Sequence, residues 1–288
     1  MRDKVTVPAI QARKHQSKLT MVTAYDAPMA RIVDQAGIDM ILVGDSLATT
    51  VLGQPDTLAA TVETMIYHSA AVAQVQPKAL IVTDMPWLSY HVSPAETIHN
   101  AGRLVREGKA EAVKLEGGRK RLPMIEAILA AEIPVMGHLG LTPQSVHTMG
   151  GYKVQGKDLA AAHALLEDAK ALAQAGVFAL VLEGIPDILA KRISEEIAIP
   201  TIGIGAGPHC DGQVLVFHDL LGLTSGHLPK FVRQYAQLAE IATQALQQYS
   251  ADVQAGTFPS DKETYHTHAD VAQTLQDEGT EASNKPEA

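Results

Sequence analysis

The stretch Met40-Ile41-Leu42-Val43-Gly44-Asp45-Ser46 contains a short apolar run that ends in a glycine and two polar residues. An apolar run of this length, without alternation, is typical of a parallel strand that is buried on both faces. Seven further short runs, rich in β-branched and aliphatic residues, lie at 19–24, 80–83, 112–115, 134–136, 179–182, 201–204 and 213–217. The chain therefore predicts eight buried strands.

Segments with helical patterns, many of them rich in alanine, separate these runs. Residues 27–36 precede Gly37, a typical helix C-terminal glycine. Ser93 and Glu96 have the spacing of a capping box that opens a helix. Further helical segments lie at 59–75, 123–132, 157–175 and 186–197. This alternation of strand and helix predicts an α/β protein with a single (β/α)8 TIM barrel over residues 1–260.

An open, doubly wound sheet is the alternative to a closed barrel. The glycine-rich segment 203–207 does not favour it, because this segment falls in the seventh unit and no suitable helix follows. Two segments break the alternation. The loop 139–156 is long and glycine-rich, which is typical of a functional loop. Residues 261–288 are acidic and poor in large apolar side chains, and they predict a mostly disordered tail.

The charge and cysteine content limit the classes of partner and the compartment. Lys and Arg number 23 against 32 Asp and Glu, and the net charge of −9 disfavours nucleic acid and anionic membranes as partners. The single cysteine, Cys210, excludes an intrachain disulfide. Residues 1–18 have no apolar signal core, and no apolar run reaches the length of a membrane helix. We therefore expect a soluble cytoplasmic protein.

Polar residues follow the predicted strands at the end where barrel enzymes carry their active sites. They are Asp45 and Ser46 after the second strand, Asp84 after the third, Lys114 and Glu116 at the fourth, His138 at the fifth and Glu183 at the sixth. Four carboxylates on one rim repel one another unless a cation compensates them. Hard oxygen ligands without a cysteine cluster favour Mg²⁺.

Several of these residues have a structural explanation as well as a functional one. Asp45 alone is also compatible with a helix cap. Lys114 shares a strand face with Glu116, because alternate residues point the same way, and it is also compatible with an internal salt bridge. His138 is either a structural or a catalytic histidine. Cys210 is expected to be a packing residue, because nothing nearby activates it as a nucleophile.

Nine segments resemble, in order, the ketopantoate hydroxymethyltransferase family. They are VTAYD at 22–26, ILVGDSL at 41–47, TDMP at 83–86, VKLEGG at 113–118, GHLGLTPQ at 137–144, GGYKVQG at 150–156, LE at 182–183, IGIGAG at 202–207 and CDGQVLV at 210–216. The resemblance extends from residue 3 to residue 260. Any one of these motifs is a weak signal, whereas the ordered set is specific.

The resemblance implies a magnesium-dependent enzyme of pantothenate and coenzyme A biosynthesis. Such an enzyme transfers a hydroxymethyl group from 5,10-methylenetetrahydrofolate to 3-methyl-2-oxobutanoate through a stabilised enolate, giving 2-dehydropantoate. By resemblance, the metal ligands are Asp45, Asp84 and Glu116, the substrate-binding residues are Asp45, Ser46, Asp84 and Lys114, and the proton acceptor is Glu183. Burial and neighbouring carboxylates are expected to raise the pKa of Glu183. The family also implies a homodecamer.

Two other classes of protein share part of this pattern. The first is a Mg²⁺-dependent carbon–carbon lyase or mutase of the phosphoenolpyruvate mutase and isocitrate lyase type. The lyases of that type carry a catalytic cysteine after strand four, whereas the corresponding segment here, 117–120, contains none. The second class is a non-catalytic scaffold barrel. A scaffold has no need for four carboxylates on one rim, so the acidic residues argue against it.

Overall fold

The structure is a computed structural model that describes residues 2–226 and 228–283. Eight parallel strands form a closed barrel in which each strand pairs with the next and the last pairs with the first. The strands are β1 Leu19–Thr23, β2 Met40–Val43, β3 Leu80–Asp84, β4 Ala112–Glu116, β5 Val135–Gly140, β6 Ala179–Glu183, β7 Thr201–Ile204 and β8 Gly212–Leu215. The predicted (β/α)8 barrel is confirmed.

Twelve α-helices are described along the same residues. They are α1 Val7–Gln11, α2 Ala27–Gln35, α3 Leu47–Thr50, α4 Val62–Ala73, α5 Pro94–Arg106, α6 Leu122–Ala130, α7 Val146–Met149, α8 Leu159–Ala175, α9 Asp187–Glu196, α10 Phe217–Leu220, α11 Leu238–Ala255 and α12 Ala269–Ser283. Helix α5 begins as predicted, because the Ser93 hydroxyl accepts a hydrogen bond from the Glu96 amide. Short 3₁₀ turns occupy Arg119–Arg121, Pro143–Ser145 and Asp261–Glu263.

Three features of the barrel differ from the sequence-based prediction. Strand β5 continues to Gly140, four residues past its predicted end, because His138 pairs with β4 and Gly140 pairs with β6. The alternation of strand and helix is interrupted between β7 and β8, where residues 205–211 form a turn. The eighth strand also ends two residues early, since Phe217 begins α10.

The barrel interior is apolar near the amino ends of the strands. Alternate residues of the strands form one buried cluster there, which contains Leu19, Met21, Met40, Leu42, Leu80, Val82, Ala112, Met136, Ala179, Val181, Ile202 and Val214. Ile10 of α1 belongs to the same cluster. Lys14 follows α1, and its Nζ lies 2.8 Å from Asp211 Oδ2, just before β8. The segment at α1 therefore closes this end of the barrel.

The chain divides into two compact units, at residues 1–236 and 237–288, and the barrel lies in the first. The second unit contains α11 and α12. Helix α12 lies in the segment predicted to be a disordered tail, and residues 284–288 of that segment are outside the described part of the chain. The domain boundary at residue 260 stays a prediction. Within the described ranges, no helix is long and apolar enough to cross a membrane.

Candidate active site

Strand register brings the predicted polar residues together above the apolar interior. Asp84 is the Cα partner of Lys114, and Glu116 is the Cα partner of His138. Lys114 and Glu116 point the same way, as alternation requires. Lys114 Nζ lies 2.9 Å from Asp84 Oδ1 and 3.3 Å from His138 Nδ1. Lys114 thus forms an internal ion pair with Asp84, which was the structural alternative considered for it from the sequence, and this pair lies within the candidate site.

His138 connects the fourth and sixth strands through its two ring nitrogens. Its Nδ1 lies 3.5 Å from Glu116 Oε1, and its Nε2 lies 3.2 Å from Glu183 Oε2. Burial and the neighbouring Lys114 cation lower the pKa of His138, but the contacts with Glu116 and Glu183 raise it more, to about 9. The two carboxylates therefore favour the protonated imidazole.

Asp45 and Asp84 are buried next to each other. The Asp45 amide donates a hydrogen bond to Asp84 Oδ2 at 3.1 Å. Burial and the repulsion from Asp84 raise the pKa of Asp45 well above its ordinary value. Burial also raises the pKa of Asp84, although the Lys114 cation opposes this effect. Asp45 is not a helix cap, because α3 follows Ser46 and has no side-chain cap.

Gln144, from the loop after β5, enters the site and was not identified from the sequence. Its Nε2 donates hydrogen bonds to Asp45 Oδ2 at 2.8 Å and to the Met85 carbonyl at 3.0 Å. Its Oε1 accepts from the Tyr90 hydroxyl at 2.6 Å. The backbone N–H of Gln144 donates to Glu116 Oε2 at 3.1 Å. The only sequence signal for Gln144 was its place at the end of the GHLGLTPQ motif.

Gly140 places β5 against the proton-acceptor candidate. Its φ is +95°, and a Cβ at this position would overlap the Glu183 carbonyl oxygen. The next amide, of Leu141, donates to that same carbonyl at 2.8 Å. A side chain at residue 140 would therefore move the backbone that carries Glu183.

The predicted site residues line one cavity of about 110 Å³. Those residues are Asp45, Ser46, Asp84, Lys114, Glu116, His138 and Glu183. Ser46 Oγ shares a hydrogen bond of 2.9 Å with the buried Tyr25 hydroxyl. Drug-sized ligands occupy cavities of roughly 300 Å³ or more, so this one suits a small molecule. Cys210 is buried and does not line the cavity.

The donor set is compatible with a magnesium ion held partly by the protein. In the described part of the chain, no group of three or more His, Cys, Asp or Glu side chains is placed to form a metal cage. Magnesium commonly takes one or two carboxylates and keeps water or substrate at its other positions. Asp45 and Asp84 supply such a pair, and both side chains are buried and line the cavity.

A (β/α)8 barrel with buried acids, a lysine and a histidine at the carboxyl ends of its strands is an enzyme architecture. The chain belongs to the ketopantoate hydroxymethyltransferase family, whose profile matches residues 4–261. It is 54% identical over 273 residues to the 3-methyl-2-oxobutanoate hydroxymethyltransferase of Syntrophomonas wolfei, covering 94% of this chain and 99% of that protein. The protein of that name from Koribacter versatilis is 53% identical and covers 96% and 94%.

Solved structures with low sequence identity share the fold. The crystal structure of 2,3-dimethylmalate lyase, a member of the phosphoenolpyruvate mutase/isocitrate lyase superfamily, aligns with a TM-score of 0.56 over 95% of this chain and 98% of that chain. Its sequence is 15% identical. This likeness concerns the barrel, whereas the family profile and the relatives above identify the chain as a hydroxymethyltransferase.

Proposed function

We propose that the protein transfers a hydroxymethyl group from 5,10-methylenetetrahydrofolate to 3-methyl-2-oxobutanoate, giving 2-dehydropantoate for pantothenate and coenzyme A synthesis. The family profile and relatives more than half identical support the reaction and the keto acid. The observation that carries the proposal is the placement of Lys114 and Glu183 at opposite ring nitrogens of His138 in one small cavity. One side of the cavity offers a cation and the other offers a base.

The keto acid would bind through its carboxylate. We assign this contact to the Lys114 ammonium and the Ser46 hydroxyl, which line the same cavity. Burial lowers the pKa of Lys114, but Asp84, Glu116 and Asp45 together raise it, so the side chain stays charged. A permanent cation beside a hydroxyl suits a small carboxylate. Asp45 and Asp84 complete the proposed substrate-binding set.

Glu183 is the proposed proton acceptor. Its carboxylate would remove the proton from C3 of the keto acid, and the electron pair left behind forms an enolate. One water hydrolyses the donor methylene: both carbon–nitrogen bonds break, the two water protons go to the folate nitrogens, tetrahydrofolate leaves, and the water oxygen stays on the one-carbon unit as formaldehyde. The enolate C3 then forms the new carbon–carbon bond to this one-carbon unit, whose oxygen becomes an alkoxide. The proton from C3 ends on the new alkoxide, so Glu183 is regenerated.

We further propose that Asp45 and Asp84 hold Mg²⁺ and that Glu116 acts on it directly or through water. Asp45 and Asp84 are buried side by side, and the lining of the cavity, within the described part of the chain, contains no cysteine or methionine; both observations support this assignment. Bound Mg²⁺ supplies a Lewis acid that draws electrons toward the keto acid oxygens. The cation also offsets the repulsion that raises the pKa of Asp45.

The assembly and the compartment belong to the same proposal. We propose a homodecamer in the cytoplasm, on the basis of the family resemblance. The partners are the keto acid and the folate. A net charge of −9 is unfavourable for contacts with nucleic acid or an anionic membrane.

Deuterium exchange tests the two halves of the reaction separately. The protein is incubated with 3-methyl-2-oxobutanoate in D₂O, with and without Mg²⁺, and deuteration at C3 is followed by NMR. Methylenetetrahydrofolate is then added, and 2-dehydropantoate is sought. Metal-dependent exchange followed by product is the expected result. Exchange without product would contradict the folate assignment, and no exchange by folded, metal-binding protein would contradict the substrate. Cleavage chemistry without folate would favour a lyase.

A further inference from the structure

We propose that Gln144 is a positioning residue for the metal-binding carboxylates, and that Tyr90 orients it. No substrate contact is required of either side chain. The inference rests on the proposed function, because Asp45 and Glu116 are metal-binding residues only under that proposal. It adds a loop residue and a tyrosine to a set otherwise drawn from the strand ends.

The contacts of Gln144 join segments that the barrel itself keeps apart. Asp45 follows β2 and Glu116 ends β4, so a whole strand separates them. Gln144 contacts both residues. Its side-chain Nε2 donates to Asp45 Oδ2, and its backbone N–H donates to Glu116 Oε2. Its side chain also holds the Met85 carbonyl, directly after β3. One buried residue therefore ties three consecutive strand ends together.

The direction of each hydrogen bond follows from the donors available. The Glu116 amide donates to the Tyr90 oxygen at 3.2 Å, which leaves the Tyr90 hydroxyl hydrogen free to donate to Gln144. The oxygen of the Gln144 amide must then face Tyr90, and its NH₂ group must face Asp45. A carboxylate oxygen and a carbonyl oxygen both accept from that group. Tyr90 thus selects the one amide orientation that supports Asp45.

The arrangement leaves the second oxygen of Asp45 available. Gln144 engages Oδ2, and no described residue donates a hydrogen bond to Asp45 Oδ1. An amide that holds one oxygen and leaves the other free orients a carboxylate as outer-shell residues orient metal ligands. Gln144 is 7% exposed and Tyr90 is 1% exposed, so water does not compete easily for these bonds.

The test replaces the side-chain amide of Gln144 by a methionine side chain of similar volume. In Gln144→Met, we expect Mn²⁺ binding, followed by electron paramagnetic resonance, and Mg²⁺ binding, followed by calorimetry, to weaken by roughly 10- to 100-fold. We expect kcat/KM at limiting Mg²⁺ to fall with them and saturating Mg²⁺ to restore part of it. Tyr90→Phe should weaken metal binding in the same direction but less, since the amide remains. Gln74→Met, at an exposed position after α4, is the matched control.

A double-mutant cycle separates positioning from loss of stability. Because the two side chains act through one chain of hydrogen bonds, the metal affinity of Gln144→Met should change little when Tyr90→Phe is added. Thermal unfolding in EDTA measures any general damage, and Tyr90→Phe keeps the test valid if Gln144→Met folds poorly. Wild-type metal affinity in both single variants would overturn the inference. Absence of metal binding in the wild type would instead overturn the proposed metal site, and the inference with it.

Discussion

His138 Nε2 lies 3.2 Å from Glu183 Oε2, while the opposite ring nitrogen lies 3.5 Å from Glu116 Oε1. One buried imidazole ring therefore joins the proposed base to a proposed metal-binding carboxylate. A substitution of Glu183 or Glu116 should therefore change the environment of the other carboxylate through His138.

Protein stability in EDTA should fall as pH rises through about 9. The pKa of His138 is raised from 6.5 to about 9, so the folded protein holds this proton more tightly than the unfolded chain. The resulting stabilisation, roughly 3 kcal/mol, is complete below pH 6.5 and is lost as pH rises through 9. Urea unfolding of wild type and His138→Gln should show a smaller loss in the variant. Equal losses in both proteins would exclude His138 as the source.

Glu183→Gln should greatly slow C3 proton exchange while it keeps keto acid and Mg²⁺ binding. A general base typically contributes about 10²- to 10⁴-fold, so exchange should slow by that factor. The measurement is NMR in D₂O together with calorimetric binding. Glu195→Gln makes the same change at an exposed position on α9, where the nearest cation is 3.9 Å away, and it serves as the control. Exchange at the wild-type rate in Glu183→Gln would remove Glu183 from the base role.

Lys114→Met should weaken keto acid binding and destabilise the protein. It leaves Asp84 buried without its cation, and breaking a buried pair in this way typically costs about 3–5 kcal/mol. Mg²⁺ should stabilise this variant more than the wild type, because the metal replaces the lost positive charge. Thermal unfolding with EDTA and with Mg²⁺ measures both effects. Lys191→Met, on the surface of α9, should leave both unchanged.

Gly140→Ala should lower kcat and leave metal affinity close to that of the wild type. A Cβ at this position overlaps the Glu183 carbonyl oxygen, so the base must move, whereas the aspartates lie on other strands. A displacement of about 1 Å can cost on the order of 10²-fold in rate. Gly53→Ala is the control, because Gly53 also has positive φ, at +66°, but has open space around its Cα. Similar kcat values for the two variants would show that the overlap does not matter.

The sequence predicted the carboxyl-end residues well, because they follow from strand ends and alternation. Asp84, Lys114 and Glu116 needed only a strand position to be assigned to one rim. The end of β5 was predicted too early, since Gly137 and Gly140 lower the local strand preference, and pairing with both neighbours overrides it. Tertiary pairing of this kind is not visible in one short segment.

The contacts between site residues were harder to predict. The pairing of His138 with Glu116 depends on the register of β4 and β5, and that of His138 with Glu183 depends on the reach of both side chains between the neighbouring strands β5 and β6. Gln144 lies on a loop, and its entry into the site depends on the path of that loop over the barrel rim. Neither property is encoded in spacing along the chain. The sequence therefore identified the chemical groups, and the structure was needed for their connections.

Ile10 packs in the apolar interior at the amino end of the barrel and Lys14 pairs with Asp211 there, so we expect both reactants to enter at the carboxyl ends of the strands. Two reactants that use the same entrance are expected to bind one after the other. We expect the small keto acid to bind in the inner part of the cavity and the larger folate to bind nearer its entrance. We expect initial-rate measurements to show the keto acid entering first and 2-dehydropantoate departing last, and a random order would contradict this. The packing at the amino end of the barrel thus predicts an ordered binding of the two substrates.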